Sequence, residues 1–155
     1  MKEQKEAVVR QATVADLNSL VPLFDAYRRF YRKPSDVALA KQFLLERFQH
    51  NESIIFIAID NDGAAVGFTQ LFPSFSSVSA ARILILNDLF VSAGARRQGI
   101  AASLLRTAKD FGQMIGAVRL TLSTEVTNNG AQALYELHGW MKQTDFHVYN
   151  LPLEP

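Results

Sequence analysis

Residues 82–91 form a run that is apolar at almost every position. A strand of that kind has no face to give to water, so it must lie near the centre of a sheet with other elements covering both sides. Asn87 and Asp88 interrupt the run and need a reason. Immediately after it come a short loop carrying Arg96 and Arg97, then Gly99, then an amphipathic stretch that reads as a helix from about Gln98 to Gly112. A buried strand feeding a helix through so short a loop predicts an α/β architecture.

The rest of the chain agrees with that reading. Val8 and Val9 begin a short strand ending near Ala12, and Thr13 with Asp16 three residues on resembles a capping box. Leu17, Leu20, Leu23, Phe24, Tyr27 and Tyr31 recur at helical spacing, which predicts a helix to about Arg29, and Pro34 breaks it. A second helix is expected over 37–49. Residues 54–59 and 64–72 read as strands joined by a turn at Asp60, Asn61, Asp62 and Gly63. A serine-rich loop over 73–79 leads to the central strand. Further on, 118–122 reads as a strand and 128–137 as a helix closed by Gly139. Short strands are expected at 141–143 and 146–151. No repeat or linker divides the sequence, so one domain over 1–155 is expected, an α/β sandwich of mixed sheet.

Composition excludes several function classes. The chain has 155 residues, a formal net charge of +1 and no cysteine, which removes disulfides, thiolate metal sites and covalent thiol intermediates. His50, His138 and His147 show no ligand spacing, so no metal is expected. Charges are interspersed, and Arg28, Arg29, Arg32 and Lys33 read as a solvated face, so nucleic acid is not an expected partner. Residues 1–6 are too charged for a signal peptide and no apolar run is long enough to span a bilayer, so a cytoplasmic location without membrane association is expected.

The segment from Leu86 to Leu105 carries the chemistry. The first turn of a helix presents unpaired N–H groups and a positive dipole end, which suits phosphate. Gly99 lets a ligand approach that turn without a Cβ in the way. The bland alternative is an ordinary strand-to-helix turn with surface arginines. Arg96, Gly99 and Ala101, at this spacing, resemble the pyrophosphate-binding signature of the GNAT acyltransferases. The strand before them, Leu86 to Val91, resembles that family's central strand. Downstream, Asn128, Ala131, Leu134, Tyr135 and Gly139 resemble its second block. Two blocks in order and at the right separation make the resemblance specific, and it covers nearly the whole chain. It implies an acyl-CoA N-acyltransferase fold, with a mixed, mostly antiparallel sheet of about seven strands and about four helices.

The resemblance also implies roles. The backbone of Leu89, Phe90 and Val91 is expected to pair with the pantetheine arm of acetyl-CoA. Amides from Arg97 through Gln98, Gly99, Ile100 and Ala101 to Ala102 are expected to hold its pyrophosphate, with Arg96 and Arg97 adding cationic character. Asn128 would hydrogen-bond the cosubstrate and Ala131 pack beside it. Tyr135 would protonate the departing thiolate, a phenol of pKa about 10 being matched to that task; otherwise it is a helix-face core aromatic. The general base stays open. Relatives that acetylate polyamines carry glutamate where this chain has Asn87, and an amide is no base. Asp88 is the nearest acid, whether catalytic, substrate-orienting or structural; Glu125 and a water chain are other routes. Tyr27, Tyr31 and Phe75 are candidate walls of an acceptor pocket, or core aromatics in the case of the first helix.

The chain looks closest to the branch with histone/polyamine and diamine acetyltransferases, though a basic cluster near the first helix does not suit a polyamine. The expected activity is transfer of acetyl from acetyl-CoA to a primary amine of a small molecule, by direct attack in a ternary complex. The alternatives are a protein or peptide amine as acceptor, or a non-catalytic CoA-binding module. The resemblance further implies a homodimer formed around 146–151.

Overall fold

The computed structural model describes residues 7–155, so the charged residues 1–6 lie outside it. Two compact units make up the chain, Met1–Ser123 and Thr124–Pro155. The first holds a five-stranded sheet in the order β1 (Val8–Gln11), β2 (Ile54–Ile59), β3 (Ala65–Ser76), β4 (Ala81–Val91) and β5 (Leu120–Thr121). Neighbours are antiparallel except β4 and β5, which are parallel and joined through α3 (Ile100–Met114). α1 (Leu17–Phe30) and α2 (Val37–Gln49) fill the connection between β1 and β2. No helix of the described residues is long and apolar enough to cross a membrane.

The period-2 alternation of the strands explains why β2 is apolar throughout. Ile55 and Ile57 join Leu20, Leu23, Phe24, Ala40 and Leu44 in the core under α1 and α2. Phe56, between them, turns to the other face, where its ring meets Phe111 of α3 edge-on at 5.6 Å. Helices therefore cover both faces of the sheet, as the apolar central strand requires. Each fully buried Leu or Ile here contributes roughly 1.5–3 kcal/mol relative to exposure.

Thr13 and Asp16 form the expected capping box: the Thr13 hydroxyl accepts from Ala15 N–H at 3.3 Å and Asp16 accepts from Thr13 N–H at 2.9 Å. Arg10 of β1 donates two hydrogen bonds to the same carboxylate, each 2.8 Å, and holds it below its usual range.

The stretch expected as a serine-rich loop is mostly strand. β3 continues through Pro73 to Ser76, opposite β4, and only residues 77–80 turn. Proline is tolerated because of parity. Leu84 N–H donates to Arg119 O, toward β5, so the facing pair Pro73 and Leu84 exchanges no ladder bond. Pro73 also lies beyond the last β2 pairing, at Leu71.

In the second unit, Asn128 caps α4 (Asn129–Leu137) by accepting from Ala131 N–H at 3.1 Å. The Gln132 amide donates to Glu125 O and Val126 O, tying the preceding loop to the helix. Gly139 adopts φ +88° just past the helix. The strands expected at 141–143 and 146–151 are absent: these residues take no ladder partner among those described, and the sheet has five strands rather than about seven. Alternation makes a segment eligible to be a strand, but pairing makes it one.

Asp25, buried on α1, holds the connection to α2. It accepts from the Ser35 hydroxyl at 2.7 Å and from Asp36 N–H at 2.8 Å, and these bonds hold its carboxyl below the usual range. A carboxyl lowered in the folded state gives stability that is complete above the ordinary carboxylate range and is lost as pH falls through the lowered value. Asp25→Ala should cost on the order of 2 kcal/mol at pH 7 by urea denaturation. The gap from wild type should narrow below about pH 4.

Candidate functional site

Asn87 is an extra residue in β4. Across the β3–β4 ladder Gln70 faces Asp88 while Leu71 faces Leu86, so Asn87 has no opposite number and the strand bulges there. The bulge changes which backbone groups point where. Before it, Arg82 and Leu84 turn their polar groups toward β5, through Val118 N–H to Arg82 O and Leu84 N–H to Arg119 O. After it, Ser92 N–H donates to Val66 O at 2.8 Å, so the pairs formed by Phe90 with Phe68 and Asp88 with Gln70 are bonded to β3. Leu89 and Val91 consequently direct their N–H and C=O groups away from β3.

On that side β5 has already ended. Its pairing stops at Ile85 with Thr121, leaving Leu89 and Val91 without a strand partner among the described residues. An extended ligand can add to such an edge as a further strand. Phe90 does not offer its backbone in the same way, contrary to expectation, because β3 takes it. Its ring instead packs with Phe68 at 6.5 Å and Tyr27 at 6.4 Å.

The edge leads to the mouth of α3. Gly99 is its N-cap at φ +77°, a left-handed conformation, and Arg97 is also left-handed at φ 63°. Ser103 N–H donates to Gly99 O, so the helix begins there, and the N–H groups of Ile100, Ala101 and Ala102 have no intrahelical acceptor. Asp36 caps α2 and Asn128 caps α4, but among the described residues no side-chain cap is seen on α3. A Cβ built on Gly99 meets nothing within 4 Å, so the space beside the cap residue itself is open. Gly67 brings the mouth close to the sheet: a Cβ there would stand 3.0 Å from Phe90 O and 3.3 Å from Ile100 Cγ2.

Arg96 does not extend toward the helix mouth. Its Nε donates to Val91 O at 3.1 Å, and its guanidinium lies over Phe90 at 5.8 Å and Phe30 at 6.0 Å. It therefore braces the end of β4 against α1.

Beneath the bulge lies a buried polar cluster. Asp88 is 2% exposed. Asn87 donates from its amide to one carboxyl oxygen at 2.7 Å, Gln70 donates to the other at 2.6 Å, and the Tyr27 hydroxyl also bonds the carboxyl. Burial pushes the Asp88 carboxyl up, and these three hydrogen bonds offset part of that rise. The single Tyr27 hydroxyl hydrogen is shared between that carboxyl and Asn87 O, 3.2 Å away, and Thr69 Oγ1 donates to Asp88 O at 2.8 Å, serving carbonyls at the bulge. Ser53 Oγ donates to Gln70 Oε1 at 2.8 Å.

Tyr27 thus plays both parts left open for it. Its ring packs against Phe24, Phe68 and Phe90 while its hydroxyl reaches the bulge. Tyr31 packs edge-on against Tyr27 at 5.1 Å. Phe75 lies elsewhere: it faces Arg82, whose guanidinium covers its ring, roughly 20 Å along β4 from Asp88 at the usual rise per residue. In the second unit, Tyr135 packs its ring 6.1 Å from Trp140, and its carbonyl accepts from Trp140 N–H at 3.0 Å. Glu125 lies in the loop that Gln132 ties to α4. Sequence reasoning missed Gln70, Thr69 and Ser53. The available signal was a polar pair, Thr69 and Gln70, inside a strand otherwise apolar from Phe68 to Phe72.

Comparison with known proteins bears on this arrangement. The sequence model of the Acetyltransferase (GNAT) family matches residues 20–140. The uncharacterized N-acetyltransferase YhfO of Bacillus subtilis is 49% identical over 143 residues, covering 92% of this chain and 95% of its own length. The crystal structure of a probable acetyltransferase superposes with a TM-score of 0.90 at 41% identity, over 96% of this chain and 99% of that one. The aminoglycoside N-acetyltransferase AAC(6')-Iy, solved in complex with CoA, shares the fold at 19% identity, with a TM-score of 0.79 over 99% of each chain.

The cluster makes a prediction of its own. A carboxyl raised by burial leaves stability intact below the ordinary carboxylate range, and stability falls as pH rises from that range toward the raised native value. Asp88→Asn cannot ionise, so it should lack this decline. Urea denaturation from pH 4 upward should show the wild type losing stability relative to the variant.

Proposed function

The chain belongs to the GNAT acetyltransferase family, and on that premise we propose that it transfers the acetyl group of acetyl-CoA to a primary amine of a small molecule by direct attack in a ternary complex. The observation that carries this reading is the open edge of β4 at Leu89 and Val91 leading to the uncapped mouth of α3. An amide-bearing arm followed by a pyrophosphate fits that sequence of features, strand-like first and anionic second. The CoA complex of the aminoglycoside acetyltransferase supports the same donor, and that relative's acceptor class supports a small-molecule amine.

Acetyl-CoA supplies an activated acyl thioester when bound. The residues of the chain orient it and move protons. Leu89 and Val91 present the groups that hold an extended arm in register, and the Leu89 N–H also faces the edge where a carbonyl oxygen needs a donor. Ile100, Ala101 and Ala102 present N–H groups to phosphate, aided by the dipole of α3. Asn128 and Ala131 are assigned to the cosubstrate through the second family block, and Tyr135 is assigned as donor of the proton that the thiolate receives.

The amine must shed a proton to expose its lone pair, and Asp88 is assigned as the acceptor. Burial keeps the amine from touching it, so the Tyr27 hydroxyl relays: its hydrogen turns from the Asn87 carbonyl to the Asp88 carboxylate and passes there as its oxygen takes the amine's proton. The raised affinity of Asp88 for a proton suits it to this task better than an exposed aspartate. Asn87 holds Asp88 and does not replace it.

Thermal denaturation with acetyl-CoA, ATP and NAD, followed by a CoA-release assay over a panel of small amines and N-terminal peptides, tests the proposal. Acetyl-CoA alone should raise the Tm, small amines should support turnover, and Tyr135→Phe should slow it by about 100-fold. No shift with acetyl-CoA would reject the donor; turnover on peptides alone would reject the acceptor class.

A further inference from the structure

Asp88 makes its hydrogen bonds in a directional arrangement. Gln70 has one oxygen and one nitrogen at its amide end, and its two neighbours use one each. The Ser53 hydroxyl donates to Oε1 at 2.8 Å, and Nε2 donates to Asp88 Oδ2 at 2.6 Å. Gln70 is fully buried in β3, with 0% exposure, so no solvent competes for either group. If the amide turned over, Oε1 would face an ionised carboxylate, and two acceptors would meet in a dry site. The carboxylate, which can only accept, disfavours that rotation, and the Ser53 hydroxyl binds the amide oxygen that is left facing away from it. Ser53 therefore anchors the far end of the amide while its nitrogen donates to Asp88.

We infer that Gln70, anchored by Ser53, is a positioning residue that favours the ionised form of Asp88 and aligns it to receive the proton relayed from the acceptor amine. This inference rests on the assignment of Asp88 as proton acceptor. The chain of bonds crosses the sheet, from Ser53 just before β2 through Gln70 of β3 to Asp88 of β4. Its far end reaches a surface recess of about 270 Å³ lined by Ser53, Gln11, Thr13, Arg47 and Asn51 among others. Truncating Ser53 thus opens onto that recess rather than hollowing the core.

The surroundings of Asp88 make Gln70 important. Tyr27 from α1 is the titratable group that contacts it; Gln70 and Thr69 from β3 and Asn87 from β4 are neutral. Arg28 and Arg29 of α1 act on Asp25, and Arg106, Lys109 and Asp110 of α3 are exposed. With no opposite charge among its partners in the described residues, the carboxylate is stabilised by neutral donors, and losing one moves its titration. A hydrogen bond to a charged group contributes about 1.5–3 kcal/mol, so the shift should be large enough to measure.

The test follows the Asp88 carboxyl carbon by NMR in the unliganded protein as pH is varied. The acid limb of kcat/KM is measured alongside. Gln70→Leu should raise the Asp88 midpoint by about one pH unit or more, and Ser53→Ala should raise it by a smaller amount in the same direction. The acid limb should move with the midpoint in both variants. An unmoved midpoint in folded Gln70→Leu would overturn the inference. Should Gln70→Leu fail to fold, Ser53→Ala decides alone: an upward shift supports the inference and none overturns it. Asp88→Asn separates the underlying assignment. An acid limb that survives in that variant shows Asp88 is not the acceptor. Its loss there, combined with unmoved Gln70→Leu and Ser53→Ala profiles, shows that Asp88 acts without this pair.

Discussion

One surplus residue in β4 governs what the sheet can do. Without the bulge at Asn87, the alternation set by Arg82 and Leu84 would continue, and residues 88 and 90 would face the β5 side. With it, that role passes to Leu89 and Val91, while Asp88 and Phe90 pair with β3. The ladder shift also turns the Asn87 carbonyl out of register, where Tyr27 meets it from α1. A bulge costs ladder hydrogen bonds, and here the lost partners are replaced by side chains from two neighbouring elements.

The polar cluster below the bulge is expensive to bury. A carboxylate removed from water loses several kcal/mol of solvation unless hydrogen bonds replace it. Asn87, Gln70 and Tyr27 supply donors from three elements, yet Asp88 remains raised because burial outweighs them. That balance makes Asp88 harder to ionise than an exposed aspartate. Asp25 is the contrasting case. It too is buried, but a hydroxyl and a backbone N–H suffice to hold it below its usual range, and its task is to anchor α2.

Around this centre, small residues and aromatic rings set spacing. Gly67 lets Ile100 approach β3, which draws the open mouth of α3 toward the end of β4. Arg96 closes the same corner from the other side, its guanidinium between Phe30 and Phe90 and its Nε on the Val91 carbonyl. A residue expected to serve phosphate by its charge thus serves the architecture by its shape. The Val91 carbonyl it occupies lies on the edge proposed for the cosubstrate, so Arg96 ties Phe30 of α1 to that edge.

Much was determined by the sequence by itself. Apolar periodicity located α1, α2, β2 and α3 to within a few residues, because one buried helix stripe or doubly buried strand leaves a local signature. Gly99 and the residues around it marked the anion-ready turn, and Thr13 with Asp16 marked the first cap, since both depend on neighbours a few positions apart. Tertiary structure alone decided the rest. That 73–76 extends β3 depended on Leu84 facing β5, which no local pattern records. That 141–143 and 146–151 form no ladder depended on the absence of a partner strand among the described residues. Gln70 and Ser53 became visible only when pairing set β3 against β4 and β2, because a hydrogen bond between residues far apart in the chain leaves no periodicity behind. Asn87 and Asp88 stood out in the sequence as interruptions; only the register showed that one makes the bulge and the other is the carboxylate it buries.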